Sequence, residues 1–90
     1  MGVSIMLQTG PRRWKDITPG WRSDMAAMLN EIAGYPARLL VFSLYDLDAL
    51  KGKRAEVARM ERFDEQWLDC FDAIIGRIER ADSAVVDLRY

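Results

Sequence analysis

Ninety residues, half of them apolar and 30% charged, with a net charge of -1, describe one folded domain rather than a disordered chain. They also remove the simplest ground for a dedicated nucleic-acid-binding protein, a strongly basic domain. A chain of this length buries only about 60 to 65% of the surface it exposes when unfolded, so its stability is thin or shared with a partner.

The longest apolar run, residues 39–45 interrupted by Ser43, is far shorter than the roughly 20 residues that span a bilayer. The single cysteine forms no internal disulfide, and the first residues have neither the basic start nor the apolar core of a secretory signal. The expected compartment is the cytoplasm, without a membrane partner. Charge is unevenly placed: residues 1–54 carry eight basic and five acidic side chains, residues 55–90 five and nine. The two halves are complementary.

Val3, Ile5 and Leu7 alternate with smaller or polar neighbours, which suits a short strand or a loosely packed arm. Gly10-Pro11 forces a turn, and residues 1–18 read as an irregular N-terminal arm carrying Arg12, Arg13, Trp14 and Lys15. A helix follows over about 19–33, with Thr18 as N-cap, Pro19 at the first helical position, and Gly34 and Pro36 as stop signals. Trp21, Met25, Met28, Leu29 and Ile32 share one face of that helix, which places Trp21 in the core.

Residues 36–51 are apolar enough for a buried strand through Val41, Phe42 and Tyr45, but Pro36 at the start and Gly52 beyond the end favour a helix. From about 54 to 81, Val57, Met60, Phe63, Trp67, Phe71, Ile74 and Ile78 recur at three or four residues, the mark of a long amphipathic helix. Asp64 intrudes on that face. As an N-cap, with Phe63 and Leu68 as a hydrophobic staple, it would mark a break.

The expected fold is mainly α, a small bundle of about three helices forming a single domain over residues 1–90: arm 1–18, helical body 19–81, and a C-terminal strand or tail 82–90. The alternative is α+β, in which residues 3–8, 38–45 and 84–89 form a small sheet covered by the first and last helices.

The chain has no histidine, which removes the commonest general base and metal ligand together. Cys70 therefore lacks an activating imidazole, the serines stand in no nucleophile motif, and no phosphate-binding glycine loop occurs. Asp46 and Asp48 lack the later residues of a calcium loop and read as turn or helix-end carboxylates. No enzyme, cofactor or metal site is expected.

Glu61, Glu65, Asp69, Asp72 and Glu79 project along one side of the long helix, where each like-charged neighbour pair costs about 0.2 to 0.5 kcal/mol. A solvated face flanked by Arg62 and Arg80 explains most of this; a surface for a basic partner explains it more sharply. The function expected is a non-catalytic protein-binding module of the small regulator or inhibitor type. Glu61, Glu65, Asp69 and Asp72 would meet a basic surface of the partner, and Trp14 with Arg12, Arg13 and Lys15 would anchor it. A nucleic-acid-binding module using the basic arm is the first alternative, and a structural subunit of a homo-oligomer the second. An apolar middle helix is hard to cover in one copy, so a homodimer is also expected.

Overall fold

The computed structural model describes residues 2–60 and 65–90. The chain runs β1 (Ser4–Gly10), β2 (Arg13–Asp16), α1 (Arg22–Ala33), β3 (Leu39–Ser43), α2 (Leu47–Ala58), α3 (Glu65–Ala81) and β4 (Ser83–Arg89), with a 3-10 turn at Leu44–Asp46. The strands form one sheet in the order β2-β1-β4-β3, with every neighbouring pair antiparallel. The mainly α expectation is thereby corrected. The architecture is α+β, and it holds a strand, β2, and a helix, α2, beyond those of the α+β alternative.

The N-terminal arm is a hairpin. Pro11 and Arg12 form the turn, Arg12 at a φ of 59°, and the pairing slips at a bulge between Gln8 and Gly10. Pairing continues past β2, where Ile17 N–H donates to the Ile5 carbonyl at 2.9 Å and Ile5 N–H donates to Thr18 Oγ1 at 2.8 Å. Thr18 therefore serves the sheet and does not cap the helix. Helix α1 begins only at Arg22, behind a Trp21 in the left-handed region (φ 54°) that makes no side-chain cap. That turn swings Trp21 away from the apolar face, leaving it 62% exposed, so its expected core position is a second correction. The helix stops where the sequence indicated, at Gly34 with φ 86°, a conformation glycine adopts without penalty.

The middle segment is not a helix over 36–51. Leu40 and Phe42 point into the core, while Leu39 and Val41 point out, on opposite faces of β3. The strand turns into helix through Ser43 and Asp46: the Asp46 carboxylate accepts the Ser43 N–H at 2.7 Å, and Ser43 Oγ accepts the Tyr45 N–H at 3.3 Å. The long helix over 54–81 is likewise replaced. Helix α2 ends at Ala58, Met60 lies outside it, and α3 starts at Glu65. The break placed at Phe63 and Asp64 lies outside the described residues.

One face of the sheet carries the core. Ile5, Leu7, Leu40, Phe42, Ala84, Val86 and Leu88 meet Met25, Ala26 and Leu29 of α1, Leu50 and Val57 of α2, and Trp67, Cys70, Phe71, Ile74, Ile75 and Ile78 of α3. Each large side chain so buried contributes about 1.5 to 3 kcal/mol. Helix α3 supplies the largest share of the helical layer because its apolar residues hold one face from Trp67 to Ile78.

Candidate interaction surfaces

The buried apolar side chains of the sheet all point toward the helices, and no helix covers the other face of the four strands. Register places its residues in rows. Asp16, Met6, Asp87 and Leu39 line up across the four strands, Trp14 stands opposite Gln8, and Val41 opposite Val85. Directly opposed residues share a face.

A chain of charged contacts crosses this open face. Arg38 Nε donates to Asp87 Oδ1 at 2.8 Å and its Nη2 to Oδ2 at 3.4 Å, while Arg89 Nε donates to the same Oδ2 at 3.0 Å. The Arg89 guanidinium in turn lies 5.3 Å from the centre of the Trp14 ring, within cation-π range. Asp87 is 8% exposed, the one buried charged side chain among the described residues. It lies in the outer layer of the sheet under two guanidiniums and not in the apolar core, and the Arg38 hydrogen bond leads in holding its carboxyl below the usual range.

A second feature is the groove between the β2 edge and α3. Lys15, Asp69, Asp72 and Arg80 line a cavity of about 510 Å³ there, and an adjoining one of about 240 Å³ reaches Asp16, Thr18, Gln66 and Cys70. Cys70 is itself buried, and desolvation pushes its thiol up to about 12, the opposite of what a nucleophile needs.

The residues singled out from the sequence are thus divided between surfaces. Lys15 faces the helical side and shares the groove with Asp69 and Asp72. Trp14, one residue earlier in an extended strand, faces the opposite side. Arg12 and Arg13 are exposed at the hairpin turn, Glu65 is exposed in the first turn of α3, and Glu61 lies outside the described residues.

The acidic row is less uncompensated than its sequence implies. Arg54 of α2 reaches Asp72 through two bonds of 2.5 and 3.1 Å, and Lys51 Nζ lies 3.5 Å from Glu79. Such exposed pairs relieve repulsion more than they stabilise. Sequence reasoning missed Arg38, Asp87 and Arg89. A signal for two of them existed, because Ala84, Val86 and Leu88 alternate with Val85, Asp87 and Arg89, and that period sets the second group on the outer face.

No helix among the described residues is long and apolar enough to cross a membrane, and no group of three or more His, Cys, Asp or Glu side chains that could hold a metal ion occurs among them. The class defined by fold and surface is a two-layer α+β domain: a four-stranded antiparallel sheet, helices on one face and a charged, aromatic-bearing open face. No family model, curated protein or solved structure matches the chain.

Proposed function

We propose that the chain is a non-catalytic protein-binding domain of the small regulator or inhibitor type, and that it occupies a partner through the open face of its sheet around Trp14. The observation that carries this reading is Trp14 itself, partly exposed on an uncovered sheet face with a guanidinium fixed over its ring. Tryptophan and arginine are the side chains most enriched where binding energy concentrates. Aliphatic Met6, Val85, Leu39 and Val41 surround the charged chain, giving the mixed apolar and polar composition typical of protein interfaces.

The acidic row becomes secondary in this reading, because two of its carboxylates are engaged within the chain. Nucleic acid fits the open face less well. The Trp14 ring already carries Arg89, and Arg38 and Arg89 are both shared with Asp87, which leaves little of that ring or of those charges for bases and phosphates.

The test is affinity capture with the tagged full chain, with and without nuclease, comparing wild type with Trp14→Ala and Lys15→Ala. The expected result is a protein that survives nuclease, is retained by Lys15→Ala and is bound at least about 30-fold more weakly by Trp14→Ala, the scale of a central tryptophan contact. Capture that vanishes with nuclease, or that ignores Trp14→Ala, overturns the reading.

A further inference from the structure

The two edges of the sheet differ in kind. Strand β2 is four residues long, carries Arg13, Lys15 and Asp16, and pairs through a bulged hairpin. Those are the devices that keep an edge strand from pairing with another chain. Strand β3, five residues long, lacks the charges and the bulge: Leu39–Ser43 has no charge and no proline, and its pairing with β4 runs without a register shift.

The Leu88 N–H donates to the Arg38 carbonyl at 2.8 Å. Together with the β3-β4 register, this turns the backbone groups of Leu40 and Phe42 toward β4 and those of Leu39, Val41 and Ser43 out to the free edge. The Ser43 N–H is closed by Asp46 at 2.7 Å, whereas the Val41 N–H meets the Tyr35 hydroxyl at 3.4 Å, beyond ordinary hydrogen-bond length. Five of the eight large apolar side chains exposed among the described residues, Tyr35, Leu39, Val41, Leu44 and Tyr45, fall within residues 35–45. Exposed apolar surface is concentrated on the edge that lacks protection.

We propose that β3 pairs antiparallel with β3 of a second copy, about a two-fold axis at Leu40, to give a continuous eight-stranded sheet. In that register Leu39 of each copy lies opposite Val41 of the other on the open face. The four cross-chain bonds use the N–H and C=O groups of Leu39 and Val41, and only the long Tyr35 contact is displaced. A second copy is the fitting occupant because the strand is complementary to itself. It is apolar against apolar in this register, and no like charges meet along it. The flanking Arg38 is already neutralised by Asp87 of its own chain. Two-fold pairing of identical surfaces is also the commonest way that small domains assemble. The inference goes beyond the reading given above and does not rest on it, since Trp14 belongs to the opposite edge strand.

The experiment is sedimentation equilibrium of the full chain over a concentration series, with amide hydrogen exchange read at each end. The expected result is a mass that doubles with concentration. The amides of Leu39 and Val41 slow as it does, and that of Ser43, already closed by Asp46, does not change. Val41→Lys is expected to weaken association at least about ten-fold, because the two-fold axis repeats the lost aliphatic contact and the new charge in both copies. Leu39→Lys replaces it if Val41→Lys fails to fold. A chain still monomeric at about millimolar concentration, or a dimer insensitive to both lysine variants, overturns the proposal. A dimer lost on Trp14→Ala but kept by Val41→Lys also overturns it and moves the contact to the other side of the face.

Discussion

The indole N–H of Trp67 donates to the carbonyl oxygen of Gly20 at 2.6 Å, tying the buried face of α3 to the loop that precedes α1. Trp67 has no exposed surface, so the side chain both fills the core and satisfies a backbone acceptor. Trp67→Phe keeps most of the volume but loses the bond, and is expected to cost about 1 to 3 kcal/mol. Trp67→Ala adds a cavity and is expected to cost about 3 to 5 kcal/mol. Urea unfolding followed by circular dichroism measures both; a Phe variant as stable as wild type would show that the bond contributes nothing.

Asp87 gives the chain a defined response to acid. The hydrogen bond from Arg38 chiefly, aided by that from Arg89, holds its carboxyl below the ordinary 3.8, outweighing the upward pull of burial. Because the folded value is depressed, the unfolded chain takes up the proton first as pH falls. The stabilisation is therefore complete above about pH 4 to 5 and is lost as pH drops through the folded value. Asp87→Asn is expected to be less stable than wild type at neutral pH, with the difference between the two shrinking below about pH 4. Paired thermal melts across pH measure that difference; a constant gap would show that ionisation of Asp87 is not the source. Asp16, also lowered, through its Thr18 hydrogen bonds, is common to both proteins and cancels in the comparison.

Asp82 joins α3 to β4 at a φ of 65°, and its N–H donates to the Ile78 carbonyl at 2.7 Å. Glycine occupies this left-handed position without strain, and removing a carboxylate from the negative end of a helix also helps. Asp82→Gly is expected to gain up to about 1 kcal/mol and Asp82→Val to lose about 1 to 2 kcal/mol. In a domain of this size 1 kcal/mol moves the melting temperature by about 4 to 8 °C, well within calorimetric resolution.

Cys70 is 1% exposed with its thiol pushed up to about 12. Native protein is therefore expected to resist iodoacetamide at about pH 8, where an unperturbed thiol reacts. The residual rate should rise with added urea in step with the unfolded fraction. Fast alkylation of the folded chain would mean that α3 opens locally around this position.

Where residue type and burial coincide, the elements were legible in the sequence. Of the seven apolar positions assigned to a single helix over 54–81, Val57, Trp67, Phe71, Ile74 and Ile78 are buried, while Met60 is exposed and Phe63 lies outside the described residues. Gly34 ends α1 as its place after an apolar face implied. The alternation of Val3, Ile5 and Leu7 marks β1. Strand β2 was invisible because Arg13, Trp14, Lys15 and Asp16 are all exposed or only partly buried, so no apolar period appears. Strand β3 was misread for the opposite reason: Leu39 and Val41 are as apolar as the inward Leu40 and Phe42, which hides the period of two. Trp21 was misplaced because helical spacing presumes helical backbone, and its own lies in the left-handed region.

By itself the sequence determined that the chain is a small folding domain, that α3 is its main amphipathic helix, that α1 ends at Gly34, and that histidine chemistry is absent. These follow from composition and from interactions a few residues apart. Only the tertiary structure decided that the arm is a hairpin and that Trp14 and Lys15 lie on opposite faces of it. The same holds for the union of Arg38, Asp87, Arg89 and Trp14, drawn from three separate stretches of chain, on one surface. Strand pairing joins residues tens of positions apart, and its free energy depends on which strands meet and in what register, information that local periodicity does not carry.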